Sequence, residues 1–364
     1  MPSDLSLSKI FNPRAGWYRG DFHAHTNFSD GYHPPVDLVN VARSAGLDFF
    51  VITDHNTVEA YPKFGNVSDI LIIPGIEVTM KEGHYNVFGL EGEFDWLPDV
   101  CVWPAELSGS IGRFNSSTQL MQHAAEQELL NSINHPLLPP WAWLDNSTDL
   151  RHIQCLEIWN DPSWPDNKWA NPQAVAMWTR WLNAGYRITA IGGSDYHRPQ
   201  PKPGENKPAE RLGVPSTWVY ADELSGAAIL AGVRQRRVYI TMGPRVTFQA
   251  DLNGTTYDIG ADLGELAGEI EFRATVSHPS PVQAQLIKNG DVIAQVSLKE
   301  GSGALHHTDQ VTPTYSAWYR FDVLDQSQQI LVVTNPIFAG PSREPSSQTY
   351  GTFLDNLAQS NPEK

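Results

Sequence analysis

The first 245 residues repeat one pattern that restricts the fold more than any other: a short apolar run followed by histidine or a carboxylate residue. Several of these runs are almost continuously apolar, which is typical of strands buried on both faces of a parallel sheet. Helical segments separate them, and the first has prolines at its start and Gly46 at its stop. This alternation predicts a parallel α/β architecture, with functional side chains at the carboxyl ends of the strands. The predicted strands are 18–23, 49–53, 70–76, 85–90, 132–134, 155–159 and 188–192, and the predicted helices are 35–45, 118–130, 172–184 and 222–235.

From about residue 246 the pattern changes to short runs that alternate apolar with polar residues. Such alternation is typical of strands with one buried face, and Asn289-Gly290 between two runs is a strong signal for a two-residue hairpin. We therefore predict an α/β domain over residues 1–245 and a small C-terminal β-sandwich over 246–340. The tail, 341–364, is rich in serine and proline and is expected to wrap the first domain or to fray.

The charge of the chain limits its partners. With 41 acidic and 25 basic residues the net charge is −16, whereas nucleic-acid polymers require basic surfaces, so we expect no such partner. A small anionic substrate is still compatible with this net charge, because metal ions can supply positive charge locally. The 2 cysteines cannot form a disulfide framework, and no run approaches the roughly 18 apolar residues of a membrane span. The opening residues lack the apolar core of a signal peptide, so we expect a cytoplasmic protein without membrane contact, in which any oligomer forms through the β region.

Side chains of the metal-binding types recur at the ends of the predicted strands. His23 and His25 lie two residues apart, and residues i and i+2 of a strand point to the same side, so both imidazoles can bind one ion. A single pair of histidines at this spacing is common by chance. Each of the other candidates alone could be a surface or capping residue. His84 is an exception in position, because it precedes a predicted strand. Six histidines at strand ends are hard to explain structurally, so we interpret the whole set as one metal cluster. The nine candidate ligands are His23, His25, Asp30, His55, Glu77, His84, His135, Asp195 and His197.

At these positions the chain resembles the PHP (polymerase and histidinol phosphatase) superfamily. The resemblance rests on His23-Ala24-His25, Ser29-Asp30-Gly31, Thr53-Asp54-His55, Pro74-Gly75-Ile76-Glu77, His84, Asn134-His135-Pro136 and Gly193-Ser194-Asp195-Tyr196-His197, which occur in the family's order. Residues 211–220 and 232–243 and Thr334-Asn335-Pro336-Ile337 are similar to the branch that includes carbaryl hydrolases. The family resemblance implies a distorted (β/α)7 barrel that holds two to three divalent transition-metal ions.

The resemblance also implies three ligand sets. The first ion would take His23, His25, Glu77 and Asp195, the second would share Glu77 and add His84 and His135, and the third would take Asp30, His55 and His197. Imidazole and carboxylate ligands without cysteine suit Mn, Fe or Zn. A water that bridges two such ions becomes hydroxide near neutral pH and can attack phosphorus. Glu77, Asp195, His55 and His197 are therefore the candidate catalytic residues, and either histidine would protonate the leaving group if the third ion were absent.

Residues that would select the substrate are harder to identify. The candidates are Asn160, Arg198 and His33, each of which has an alternative as an ordinary turn or surface residue. Asp54 either supports a ligand histidine or is a turn residue. Tryptophans are concentrated between Trp141 and Trp181; they form either an aromatic wall for the substrate or a packed insertion, and we favour packing.

These observations predict a metal-dependent phosphoesterase that acts on a small phosphomonoester or phosphodiester. A carboxylic-ester or carbamate hydrolase with the same metal centre is the alternative enzyme. An alternative of another class is a non-catalytic, metal-stabilised binding protein. The complete ligand set favours an enzyme, because a degenerate site is expected to have lost some of its ligands.

Overall fold

The computed structural model describes residues 5–102, 111–345 and 349–354. The first part of the chain forms strands β1 (Gly16–Asp21), β2 (Phe49–Ile52), β3 (Leu71–Met80), β4 (Gly83–Phe88), β5 (Leu130–Ile133), β6 (Cys155–Asn160), β7 (Thr189–Gly193), β8 (Ser216–Ala221) and β9 (Val238–Thr241). The helices are α1 (Pro35–Ser44), α2 (Leu97–Val100), α3 (Ser117–Glu126), α4 (Asn167–Asn183) and α5 (Gly226–Arg234). Every strand and helix predicted for this region has a counterpart, whereas the apolar pattern does not predict α2, β8 or β9.

The strands of this part form a mixed sheet rather than the wholly parallel one that the sequence predicts. β1, β2 and β3 are parallel, as are β5, β6 and β7, but β4 runs antiparallel to both β3 and β5. The prediction is wrong at β4 because only Lys81 and Glu82 connect it to β3. A connection of two residues allows a hairpin, whereas a parallel neighbour requires a crossover of a dozen or more residues.

The segments that follow β1 and β7 lie side by side. The backbone N–H of His25 donates to the carbonyl of Tyr196 (3.0 Å), and the N–H of Tyr196 donates to that of His23 (3.3 Å). The alternation of strands and helices is incomplete in the described residues, because β2–β3 and β5–β6 are connected through 3-10 turns (Tyr61–Lys63 and Leu150–His152). The (β/α)7 barrel therefore stays a prediction. The described residues form a large sheet that is accompanied by few helices. No helix of the described residues is long and apolar enough to cross a membrane.

The remaining strands form two layers around a shared core. They are β10 (Arg245–Leu252), β11 (Thr255–Asp258), β12 (Gly268–His278), β13 (Val282–Lys288), β14 (Asp291–Leu298), β15 (Gly301–Val311), β16 (Ala317–Leu324), β17 (Ile330–Thr334) and β18 (Ile337–Ala339). One layer has the order β11-β10-β12-β15; the other has the order β14-β13-β16-β17 and continues through β9 into the first sheet. Phe248 of one layer packs on Phe321 of the other, with ring centroids 6.0 Å apart. Because one layer belongs to the large sheet, a separate β-sandwich with a boundary at residue 245 stays a prediction.

Two local features of this region bear on the sequence predictions. Lys288 pairs with Asp291, and Asn289 and Gly290 have φ values of 53° and 99°, so the predicted hairpin is confirmed. Part of the predicted tail packs on the first part of the chain: the Tyr350 hydroxyl donates to the carbonyl of Pro136 (3.0 Å). Residues 346–348 and 355–364 of the tail lie outside the described residues.

Candidate metal centre

The nine candidate ligands lie together at one edge of the sheet. His23, His25 and Asp30 follow β1, His55 follows β2, His135 follows β5, and Asp195 and His197 follow β7, while Glu77 lies within β3 and His84 within β4. His84 reaches the cluster because β4 is antiparallel to its neighbours. Its amino end therefore lies at the edge where the parallel strands have their carboxyl ends, which explains the exception in the sequence pattern.

The Glu77 carboxylate is at the centre of the cluster and is fully buried. Its Oε2 atom lies 2.9 Å from His55 Nδ1, 3.2 Å from His23 Nε2 and 3.4 Å from His25 Nε2. Asp195 Oδ1 approaches the same two histidines of β1, at 3.2 Å from His23 Nε2 and 3.0 Å from His25 Nε2. Two carboxylates and two imidazoles thus surround one point.

The second oxygen of Glu77 faces a different set of side chains. Its Oε1 atom lies 3.1 Å from His84 Nδ1 and 3.5 Å from His135 Nε2, and it accepts a hydrogen bond from Asn134 Nδ2 (2.8 Å). Glu77 is therefore placed to bridge two positions.

Among the residues that the structure describes, three overlapping groups have ligand atoms within 4.8 Å of one another. They are His23, His25, Glu77 and Asp195; His55, Glu77 and His84; and His25, Asp30, His55 and His197. The first group has the same members as the first implied ligand set. The other two differ from the implied sets: the second contains His55 rather than His135, and the third also contains His25.

The residues fit divalent metal ions. Among the described residues, His23 Nε2 and Glu77 Oε2 are buried side-chain atoms without a hydrogen-bond partner, and they face each other. A buried polar atom without a partner costs about 1–3 kcal/mol, which a bound cation would offset. Imidazole nitrogens together with carboxylate oxygens are ligands for Mn, Fe and Zn.

The carboxylates and two of the imidazoles favour the charge states that bind cations. Burial raises the pKa of Glu77 and of Asp195, but the neighbouring imidazoles, first that of His23, hold both pKa values well below their usual range. Burial lowers the pKa of His25 to about 3 and that of His84 to about 4. Burial lowers the pKa values of His23, His55 and His197, but the neighbouring carboxylates outweigh it and raise all three. Ionised carboxylates and neutral imidazoles are the forms that bind metal ions, so these three imidazoles would release protons when ions bind.

The sequence pattern around this cluster agrees with a known domain family. Residues 21–153 match the PHP domain. The match includes the candidate ligands from His23 to His135, whereas Asp195 and His197 follow it.

Individual proteins are also similar to this chain. A "Probable phosphatase" of Shewanella sediminis (strain HAW-EB3) is 27% identical over 200 residues, which are 50% of this chain and 78% of that protein. A two-domain protein from Bacteroides vulgatus ATCC 8482, described as containing a predicted PHP-like metal-dependent phosphoesterase, is 18% identical. The structural match covers 90% of this chain and 98% of that protein, with a TM-score of 0.46. A putative metal-dependent phosphoesterase from Bifidobacterium adolescentis ATCC 15703 is 16% identical. That match covers 53% of this chain and 91% of that protein, with a TM-score of 0.38.

Glu157 supports the metal centre from β6 and was missed by the sequence pattern. Its Oε1 atom accepts from His23 Nδ1 (2.9 Å), and its Oε2 atom accepts from the backbone N–H of His135 (2.8 Å). A proton on Nδ1 leaves the His23 Nε2 lone pair directed at Glu77 and Asp195. The available signal was a single acidic residue inside an otherwise apolar strand, which must have buried partners.

Asp54 supports the loop that carries Asp30 rather than a ligand histidine. It accepts hydrogen bonds from the Thr26 N–H (2.6 Å), the Thr26 hydroxyl (2.7 Å) and the Ser29 hydroxyl (2.7 Å). Both predicted alternatives are thus replaced by a third, in which Asp54 positions one ligand through its loop. His55 is instead held by Thr79, whose hydroxyl lies 2.6 Å from Nδ1.

A cavity of about 190 Å³ opens beside the cluster, and it contains some of the predicted substrate-binding residues. Arg198 and Asn160 line it, but the Asn160 amide is engaged with Glu157 (3.0 Å) and Asn167 (3.1 Å). His33 is not among the described residues that line the cavity; its imidazole lies 3.1 Å from the Tyr196 hydroxyl. Arg198 lines the cavity, and its guanidinium group makes a long hydrogen bond to the backbone carbonyl of Asp30 (3.5 Å).

The cavity also contains a lysine that the sequence pattern did not indicate. Lys207 donates to Glu210 (2.8 Å), lies 3.7 Å from Asp161 and has its ammonium group 4.9 Å from the Trp164 ring centroid. Glu210 in turn accepts from the backbone N–H of His197 (2.7 Å), so the loop after β7 is tied to the metal centre.

The tryptophans divide between the two predicted roles. Trp141 and Trp164 line the cavity, with ring centroids 5.2 Å apart, whereas Trp143, Trp178 and Trp181 are buried in the core. Trp159 is buried as well and Trp169 is exposed, so packing accounts for four of the seven tryptophans, while two line the cavity.

Proposed function

We propose that this protein is a metal-dependent phosphoesterase that hydrolyses a small phosphomonoester or phosphodiester. The observation that carries the proposal is the bridging position of Glu77, whose two oxygens face different sets of imidazoles. The PHP domain match and the similarity to a probable phosphatase support hydrolase chemistry at this centre.

The side chains offer places for two to three divalent ions such as Mn, Fe or Zn. His23, His25, Glu77 and Asp195 would hold one ion, Glu77 with His84 and His55 or His135 a second, and Asp30 with His197 a third. When bound, such ions act as Lewis acids, lower the pKa of water and stabilise the charge that develops on phosphate oxygens.

The residues around the cavity bind and orient the substrate in this proposal. The described wall holds five carboxylates besides Arg198, Lys202 and Lys207, so these basic groups would favour an anionic substrate together with bound ions. Arg198 can donate two parallel hydrogen bonds to phosphate oxygens. The volume of about 190 Å³ restricts the bound part of the substrate to a small group. Trp141 and Trp164 offer an apolar surface to the rest of the molecule.

Glu77→Gln tests the metal centre. Gln keeps the shape of Glu77 but offers only one oxygen. We therefore expect the variant to lose its retained metal ions and also its turnover of p-nitrophenyl phosphate. Metal analysis and steady-state kinetics measure the two effects. Glu82→Gln, on the exposed turn before β4, is the matched control. Wild-type metal content and activity in Glu77→Gln would contradict the bridging position.

A substrate panel tests the reaction class. Phosphomonoesters, phosphodiesters, aryl esters and aryl carbamates are compared with the same metal-loaded protein, with and without inorganic phosphate. We expect turnover of phosphate esters and inhibition by phosphate. Preferential cleavage of carbamates, unaffected by phosphate, would replace this proposal with the carbaryl-hydrolase-like alternative.

A further inference from the structure

A pocket lined by arginines lies at the edge of the sheet opposite the metal centre. Its volume is about 360 Å³, and it is bordered by Thr189 at the start of β7 and by Gln154 just before β6. Asp195 follows the other end of β7, so at about 3.3 Å per residue the pocket is about 20 Å from the metal centre.

The pocket is positively charged in an acidic protein. Arg151, Arg187, Arg234 and Arg236 line it, and no aspartate or glutamate is among its described lining residues. These arginines come from three places in the chain, before β6, before β7 and at the end of α5, so only the tertiary structure brings them together.

Carboxylates outside the pocket neutralise only part of this charge. Arg151 pairs with Asp149, and Arg187 pairs with Asp262. Arg234 donates to the backbone carbonyl of Glu128 instead, and no carboxylate in the described residues forms an ion pair with Arg234 or Arg236. Two guanidinium groups are therefore left without a carboxylate at ion-pair distance, although the charge of Asp262 also acts on Arg236.

Arg236 points to a missing acceptor. Its Nε atom is buried and has no hydrogen-bond partner in the part of the chain that the structure describes. The guanidinium carbons of Arg236 and Arg187 lie 5.6 and 4.7 Å from the centroid of the same Phe338 ring. Burial, and next the charge of Arg187, lower the pKa of Arg236. An anion beside these groups would accept the free hydrogen bond and reduce the repulsion.

We propose that this pocket is a second binding site, separate from the metal centre, for a phosphate group. A phosphate has several oxygens in a tetrahedral arrangement and can accept hydrogen bonds from arginines that approach from different directions, whereas a carboxylate accepts mainly in one plane. The phosphate group is supplied either by inorganic phosphate or by a small phosphorylated molecule.

Calorimetric titration of the whole 364-residue chain tests the site. Inorganic phosphate and glycerol phosphate are titrated separately into protein as purified and into chelator-treated protein. We expect saturable binding that persists after metal removal. Tighter binding of glycerol phosphate would identify a phosphorylated molecule as the source of the group, and equal binding would identify free phosphate.

Variants then assign the binding to the pocket. Arg236→Gln should weaken the metal-independent binding about tenfold or more, because it removes a charge-assisted hydrogen bond. Arg236→Lys should lie between this variant and the wild type, since it keeps the charge but loses the planar group. Arg237→Gln is the control: it removes the same charge at the next residue, which pairs with Asp222 and does not line the pocket.

The proposal is overturned by either of two results. One is no saturable binding to chelator-treated protein at millimolar phosphate. The other is equal binding by Arg236→Gln and Arg237→Gln when circular dichroism and thermal unfolding show that both variants are folded.

Discussion

Single residues behind the ligands decide how the ligands are oriented. Glu157 fixes His23 from one side while also accepting from the backbone of His135, so one buried carboxylate holds two of the candidate ligands. Asp161 is another buried acid near the cavity, and it accepts from the backbone N–H (2.9 Å) and hydroxyl (2.6 Å) of Ser163. The contacts of these two residues allow predictions that the local sequence pattern alone does not allow.

Glu157→Gln should weaken metal binding without unfolding the protein. Gln has one acceptor oxygen where Glu157 uses two, so His23 or the loop at His135 loses its anchor. Loss of such a supporting partner lowers metal affinity about 10–100-fold. Competition with a chromophoric chelator measures the affinity, and Glu126→Gln on the exposed end of α3 is the control. Unchanged affinity would show that Glu157 has no positioning effect.

Asp161→Asn should stabilise the metal-free protein in a pH-dependent way. Burial, opposed by the Ser163 hydrogen bonds and assisted by the charge of Asp195, raises the pKa of Asp161 from 3.8 to about 6. A raised carboxyl pKa means that ionisation costs stability, with no cost below about pH 4 and the full cost above about pH 6.

The free energy of unfolding of Asp161→Asn should therefore equal that of the wild type near pH 4 and exceed it by about 2–3 kcal/mol at pH 7. Urea titrations at both pH values measure this difference, with the exposed Asp222→Asn as the control. A difference that does not change with pH would contradict the predicted pKa.

Among the structural elements, the loop after β1 depends most on a buried anchor. Gly31 donates to the carbonyl of Thr26 (2.9 Å), and a Cβ at Gly31 would lie 2.5 Å from the His25 carbonyl oxygen, so the turn is too tight for another residue. Asp54 holds the same loop through Thr26 and Ser29. The loop in turn places Asp30 Oδ1 at 3.2 Å from His197 Nε2.

Asp54→Asn should release this loop and cost the protein one metal position. The amide nitrogen that replaces one oxygen cannot accept the hydrogen bonds of Thr26 or Ser29, so Asp30 loses its fixed position. We expect fewer ions per chain than in the wild type, with the group around His23 still loaded. Metal analysis after gel filtration measures this, with the exposed Asp69→Asn as the control. Wild-type ion content would contradict the anchoring.

For the whole molecule, side chains join β7 to β8 and to the loop that follows β17. The Asn335 amide accepts from the Ala190 N–H (2.9 Å) and donates to its carbonyl (2.9 Å), while the Thr217 hydroxyl of β8 pairs with both backbone groups of Gly192 (2.9 and 2.7 Å). The backbone N–H and C=O groups of Ala190 and Gly192, on the edge of β7 that faces away from β6, thus form hydrogen bonds with side chains rather than with a neighbouring strand.

Asn335→Ala should destabilise the whole protein. It leaves the buried N–H and C=O groups of Ala190 without partners, which we expect to lower the free energy of unfolding by about 2–4 kcal/mol. Urea denaturation measures the change, and Asn40→Ala, exposed on α1, should stay within about 0.5 kcal/mol of the wild type. A loss for Asn335→Ala as small as that of the control would show that this connection contributes little.

The sequence by itself determined strands β1 to β7 and the polar residues near their ends, because local periodicity shows both. It therefore predicted the candidate ligands, the Asn289-Gly290 hairpin and the change of pattern near residue 246. It did not predict the antiparallel placement of β4, because strand order depends on contacts distant in the chain.

Only the tertiary structure brought Glu157 to His23, Asn335 to β7 and four arginines to one pocket. Each of these contacts joins residues that no periodic pattern connects. The buried polar groups select their partners by hydrogen bonding across the fold, and the chain reveals those partners only once it is folded.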